Sequence, residues 1–177
     1  METAESSKTR ALARRAAEAA GLPDVLSAEE IGRYADFAAF FLREFKKGMQ
    51  MHAALCKEPA GRSAGEGPHY AVSQRIFGDV SLTAGIYGTT DVFARMASAY
   101  SEMEIKKGDI LAIDALMEFL NVITGLYIIK CAEDGLRLDL GLPRSGRRVK
   151  TSKYLLRLPI QSDAGSFELL LSKYELV

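Results

Sequence analysis

Between Leu111 and Ile129 the chain reads Leu-Ala-Ile-Asp-Ala-Leu-Met-Glu-Phe-Leu-Asn-Val-Ile-Thr-Gly-Leu-Tyr-Ile-Ile, an apolar run interrupted by Asp114, Glu118, Asn121 and Gly125. The interruptions fall at offsets of four, three and four. At about 100° per residue a helix collects all four on one narrow face. The opposite side carries Leu116, Phe119, Leu120, Ile123, Leu126 and Tyr127, enough apolar surface to anchor the helix on a core. A carboxylate and a carboxamide then stand one turn apart, facing away from that core, with the small Gly125 leaving room for another surface to approach.

A stripe of this kind is commonly just the solvated side of an amphipathic helix. Two details separate it from that default. Asn and Gly are poor helix-interior residues, Gly costing roughly 1 kcal/mol relative to Ala, whereas a solvated face is usually filled with Lys, Glu, Gln or Arg. The stripe is also bordered by Met117, Val122, Ile128 and Ile129, apolar side chains that suit a docking surface.

The rest of the chain supplies a frame for this helix. Ser27-Ala-Glu-Glu30 reads as a capping box opening a helix whose apolar positions, Ile31, Tyr34, Phe37, Phe41 and Phe45, keep helical spacing to about Met51. A short strand is expected near His52–Lys57, and Pro59–Pro68 is a Gly-rich connection. Strand-like alternation runs from Tyr70 to Gly88, and Thr90–Asp91 can cap a short helix reaching Tyr100 or Ser101. Asp109 is placed to cap the motif helix, which should stop at Asp134–Gly135. Leu136–Leu142, Tyr154–Ile160 and Phe167–Leu176 read as strands, the last two joined through residues 161–166. Strands, then two helices, then a run of strands predict an α+β fold with long helices packed on one face of a mostly antiparallel sheet. Residues 1–30 form an Ala-rich, charged extension, helical or partly disordered, ahead of a domain over 31–177.

Composition limits the roles open to such a domain. Of 177 residues 48% are hydrophobic, and 23 bases balance 23 acids, which gives no electrostatic case for a nucleic-acid binder. The N-terminus lacks the apolar segment of a signal peptide, and the longest apolar run holds Asp114, Glu118, Asn121 and Lys130, too polar for a membrane span. A cytoplasmic protein without a membrane partner is expected. Cys56 and Cys131 lack Cys-x-x-Cys spacing and read as reduced thiols, with a disulfide or a reactive thiol the lesser alternatives. His52 and His69 have no companion ligand at metal-binding spacing. Gly61–Gly67 lacks the Gly-Lys-Ser/Thr ending of a phosphate-binding loop. Arg144, Arg147, Arg148, Lys150 and Lys153 form a basic run read as a solvated loop, or as an electrostatic attractor for an acidic partner.

The spacing Asp-x3-Glu-x2-Asn-x3-Gly resembles the signature of the CheC/CheX/FliY chemotaxis phosphatases, which dephosphorylate response regulators. The order of segments resembles the CheX-like branch: a Gly-Asp-containing strand over Arg75–Gly88, a short helix, the motif helix, then the strand at Leu136–Pro143. The likeness covers about residues 34–177 and includes one motif, since the Thr90–Tyr100 segment has no Glu-x2-Asn. It implies hydrolysis of the aspartyl phosphate of a CheY-like receiver. Asn121 would orient the attacking water and Glu118 would pair with the receiver's lysine. Asp114, Met117, Val122 and Gly125 would contact the partner. The resemblance also implies a homodimer, no cofactor held by this chain, and Mg²⁺ carried by the phosphorylated receiver. Two other roles stay open for the stripe: a noncatalytic module that binds a receiver or another signalling protein, and a self-contact in a structural dimer.

Overall fold

In the computed structural model residues 3–56 and 67–177 are described; most of the Pro59–Pro68 connection, including Gly61–Glu66, lies outside them. Helix α2 (Ala28–Met49) begins where the sequence signals it. The Ser27 hydroxyl accepts from the Glu30 N–H at 3.2 Å, and the Glu30 carboxylate accepts from the Ser27 N–H at 2.8 Å. Glu30 also accepts from Lys173 at 2.8 Å. The Lys173 ammonium and then the Ser27 N–H hold its carboxyl below the usual range, so this contribution to stability is lost as pH falls. Ser27→Ala is expected to cost about 0.5–2 kcal/mol in chemical denaturation.

Among the described residues seven strands form one sheet ordered β1 (Ala53–Leu55), β6 (Leu156–Ser162), β7 (Gly165–Ser172), β3 (Leu82–Thr89), β2 (His69–Gly78) and β4 (Leu138–Leu140), with β5 (Arg144–Gly146) also on β2; each of these pairings is antiparallel. The expected strand through Arg75–Gly88 is in fact a hairpin. The chain reverses at Asp79–Ser81, where the Asp79 carboxylate accepts the Arg137 N–H at 2.8 Å. Gly78 precedes the turn at φ 129°, and a side chain there would collide with the Arg137 carbonyl. The β6–β7 reversal is tighter than expected: strand pairing reaches Ser162↔Gly165, leaving Asp163 and Ala164 as the turn. Part of the basic run is strand and not loop, because Arg144–Gly146 pairs with Ser73–Ala71.

Among the described residues four helices cover one face of the sheet. Val72, Ile76, Leu82, Ala84, Ile86, Leu158, Leu169 and Leu171 alternate inward to meet Phe37, Phe41 and Phe45 of α2. Helix α1 (Ala4–Ala19) joins this core through Ala13 and Ala17, both fully buried, and the following turn adds Leu22 and Leu26. Small alanines let α1 lie close to α2, and Arg10 pairs with Asp36 at 2.6 Å across that contact. Helix α3 (Thr90–Ser101) is capped one residue earlier than expected, by Thr89, whose hydroxyl accepts from the Val92 N–H. Among the described residues the two cysteines are free thiols, Cys131 buried and Cys56 half-buried.

Candidate functional site on helix α4

Helix α4 (Ile110–Glu133) starts at Asp109, whose carboxylate accepts the Leu111 N–H at 3.0 Å, and ends where Gly135 turns at φ 83°. It is long and apolar enough to cross a bilayer by composition alone. Its apolarity is instead divided between two surfaces. Ala112, Leu116, Phe119, Leu120, Ile123, Thr124, Tyr127 and Cys131 are buried against α2, α3 and β2. Phe119 is the main anchor, ringed edge-on by Phe41, Phe45 and Tyr100 at centroid distances of 6.4, 6.0 and 5.2 Å. Tyr127 packs edge-on against Phe37 and Phe40. Packed on both halves, the helix presents its other face outward.

That outer face carries the stripe. Asp114, Glu118 and Asn121 are exposed and Gly125 is half-buried. The buried Thr124 hydroxyl, sequestered beside the stripe, lies 2.9 Å from the Leu120 carbonyl and 3.1 Å from that of Asn121, so its polarity is satisfied within the helix. Gly125 has no packing reason to be glycine. Among the described residues a Cβ there would meet only the Leu140 Cδ1, at an ordinary 4.0 Å. Gly125→Ala is therefore expected to stabilise the folded chain by up to about 1 kcal/mol, seen as a higher denaturation midpoint. A glycine kept at such a cost suits close approach from outside the molecule.

The apolar border is wider than the sequence indicates and partly misassigned. Val122 and Ile129 are exposed as expected, while Met117 and Ile128 are half-buried on the other side. Leu126, expected on the core side, is 43% exposed. It lies about 140° around the helix from Asn121, at the seam between the two surfaces, a position periodicity alone does not assign. Leu111 is also exposed, so Leu111, Val122, Leu126 and Ile129 make an apolar ridge beside the polar stripe. Sequence reasoning also missed Tyr100, contributed by α3. Its phenol titrates above the ordinary tyrosine value because it is partly desolvated and because the Glu118 charge acts on it. The signal available was its place at the end of a helix that must lie against α4.

The remaining candidates fall elsewhere. Among the described residues no group of three His, Cys, Asp or Glu side chains is arranged to hold a metal ion. His69 stacks on Tyr87 at 5.2 Å, and the His52 backbone N–H donates to Asp163. The basic run is partly neutralised by the C-terminal segment, since Arg144 and Lys150 reach Glu175 at 3.0 and 3.7 Å. Arg147 donates to the Tyr70 hydroxyl at 3.1 Å and lies over its ring.

No protein-family model and no curated protein matches this sequence. Solved structures do match. The chain is similar to a chemotaxis protein CheX from Desulfovibrio desulfuricans, with 17% identity, 80% of this chain and 96% of that one covered, and a TM-score of 0.59. A CheX from Borrelia burgdorferi, solved as a complex with CheY, BeF3 and Mg²⁺, matches at 16% identity over 78% and 96% of the two chains, with a TM-score of 0.60. FliY from Thermotoga maritima matches at 12% identity over 84% and 92%, with a TM-score of 0.56. This α+β architecture, an antiparallel sheet with helices packed on one face, is the fold of the CheX, CheC-like and FliY chemotaxis proteins.

Proposed function

We propose that this chain is a CheX-like phosphatase that hydrolyses the aspartyl phosphate of a CheY-like response regulator. The observation that carries this reading is the exposed Glu118–Asn121 pair, one turn apart on a helix whose opposite side is fixed in the core of a CheX-type fold. A CheX of the same fold has been solved bound to CheY, which supports a receiver domain as the partner. Asn121 holds and orients a water for in-line attack on phosphorus. Its carboxamide offers donor and acceptor without a proton transfer, so placement supplies the catalysis. Glu118 pairs with the receiver's active-site lysine and sets the register of the two proteins. Asp114, Met117, Val122 and Gly125 contact the docked receiver. Mg²⁺ belongs to the substrate, and this chain supplies none. A cytoplasmic homodimer that leaves α4 open belongs to the same proposal, and light scattering tests the dimer.

The test separates binding from turnover. Glu118→Ala should weaken receiver binding about tenfold or more and lower hydrolysis with it, because its partner lies on the receiver. Undiminished binding in a pull-down or calorimetric titration would remove that assignment.

A further inference from the structure

The face of the sheet turned away from the helices carries a second polar pocket, independent of the α4 stripe. On β2, Val72 and Ile76 point into the core, so Ser73, Arg75 and Phe77 project from the other face. Register places Arg75 directly opposite Thr83 of β3, and Ser73 opposite Arg144 of β5. The C-terminal segment folds back over this face: the Lys150 N–H donates to the Leu176 carbonyl at 2.8 Å, and Leu176 is buried above Gly85. Together with Gly141 and Leu142 these elements line an open cleft of about 310 Å³.

Its lining is unusual for a sheet surface. Ser73 and Thr83 are 4% and 2% exposed, and the Thr83 hydroxyl has no hydrogen-bond partner among the described residues. An isolated buried hydroxyl is costly unless something accepts its hydrogen. Glu175 is engaged by Arg144, whereas Arg75 makes no ion pair among the described residues. Two guanidinium groups against one carboxylate leave the pocket positive. Phe77, 40% exposed, and Leu142, 85% exposed, form an apolar lip.

We propose that this pocket binds a small organic oxyanion, its charged group on Arg75 and the Ser73 and Thr83 hydroxyls and its apolar part against Phe77 and Leu142. Guanidinium and hydroxyl donors are the groups that recognise phosphate and carboxylate oxygens, and the volume suits a small molecule. The inference stands apart from the phosphatase reading, because no stripe residue lines the cleft.

The test is a ¹H–¹⁵N NMR titration of the full chain with phenyl phosphate, alongside inorganic phosphate. Saturable shifts centred on Ser73, Arg75, Thr83 and Arg144 are expected, with phenyl phosphate the tighter ligand. Arg75→Gln should weaken binding about tenfold. Thr83→Val should weaken it about fivefold while raising the melting temperature of the free protein, because it removes an unsatisfied hydroxyl without changing shape. Absence of saturable shifts up to about 10 mM, an affinity too weak to be of use, or equal affinity in Arg75→Gln would overturn the proposal.

Discussion

Asn121→Ala is expected to lower receiver dephosphorylation by about a hundredfold or more while leaving receiver affinity within about a factor of two. The asymmetry follows from the division of labour proposed for α4. Asn121 is exposed on a helix held by Phe119 and Tyr127, so truncating it removes no buried contact and leaves the docking surface intact. What is lost is the placement of water, and misplacement of a reacting group by about 1 Å can cost a hundredfold. Single-turnover decay of phosphorylated receiver, with affinity measured separately on a nonhydrolysable phosphoryl mimic, distinguishes the two effects. An equal loss of binding and turnover would show that Asn121 is a contact and not the water-positioning group.

Phe41→Ala should produce the largest loss of stability, about 3–5 kcal/mol. Phe41 is fully buried and touches Phe45, Phe119 and Phe167, so it joins α2, α4 and β7 at one point. The cavity left would be walled by rings fixed in three different elements, which limits how far the site can collapse. Because Phe119 carries the inner side of the motif helix, the same change should loosen α4 and lower turnover at temperatures where the protein remains folded. Urea unfolding followed by circular dichroism measures the first effect. A loss below about 1.5 kcal/mol would show that the aromatic cluster relaxes around the gap and does not set the position of α4.

Legibility followed local chemistry. The α2 capping box, the Asp109 cap, the Gly135 stop and the outward stripe were all readable because each is specified by residues within about a turn of one another. Features decided by distant segments were not. The Arg75–Gly88 alternation gave no clue that it folds on itself, since Gly78–Asp79 acquires its meaning only from Arg137, far along the chain. Arg144–Gly146 has no strand-like sequence and becomes strand by pairing with an edge that β2 leaves open. Period alone places Leu126 inward because it cannot tell which neighbour covers a residue at the seam, and among the described residues its side chain stays 43% exposed. Tyr100 reached the site through tertiary packing of α3 on α4. The docking of α1 rests on two small alanines, a signal too weak to separate from ordinary helix composition.

The ridge formed by Leu111, Val122, Leu126 and Ile129 refines the proposed contact. It places apolar surface beside the exposed Glu118 and Asn121, a combination in which desolvation on docking strengthens polar contacts at its edge. Gly125 belongs to the same surface, and the stability forgone there is consistent with a backbone approach from a partner.

The most direct measurement phosphorylates receiver domains from the same genome with a small phosphodonor and follows the loss of phosphoryl label with and without this protein. Accelerated loss from one receiver, removed by Asn121→Ala, is the predicted result, and it would also name the substrate. Label that decays at its own rate on every receiver, in the presence of a folded protein that still binds one of them, would contradict catalysis and leave a receiver-binding module.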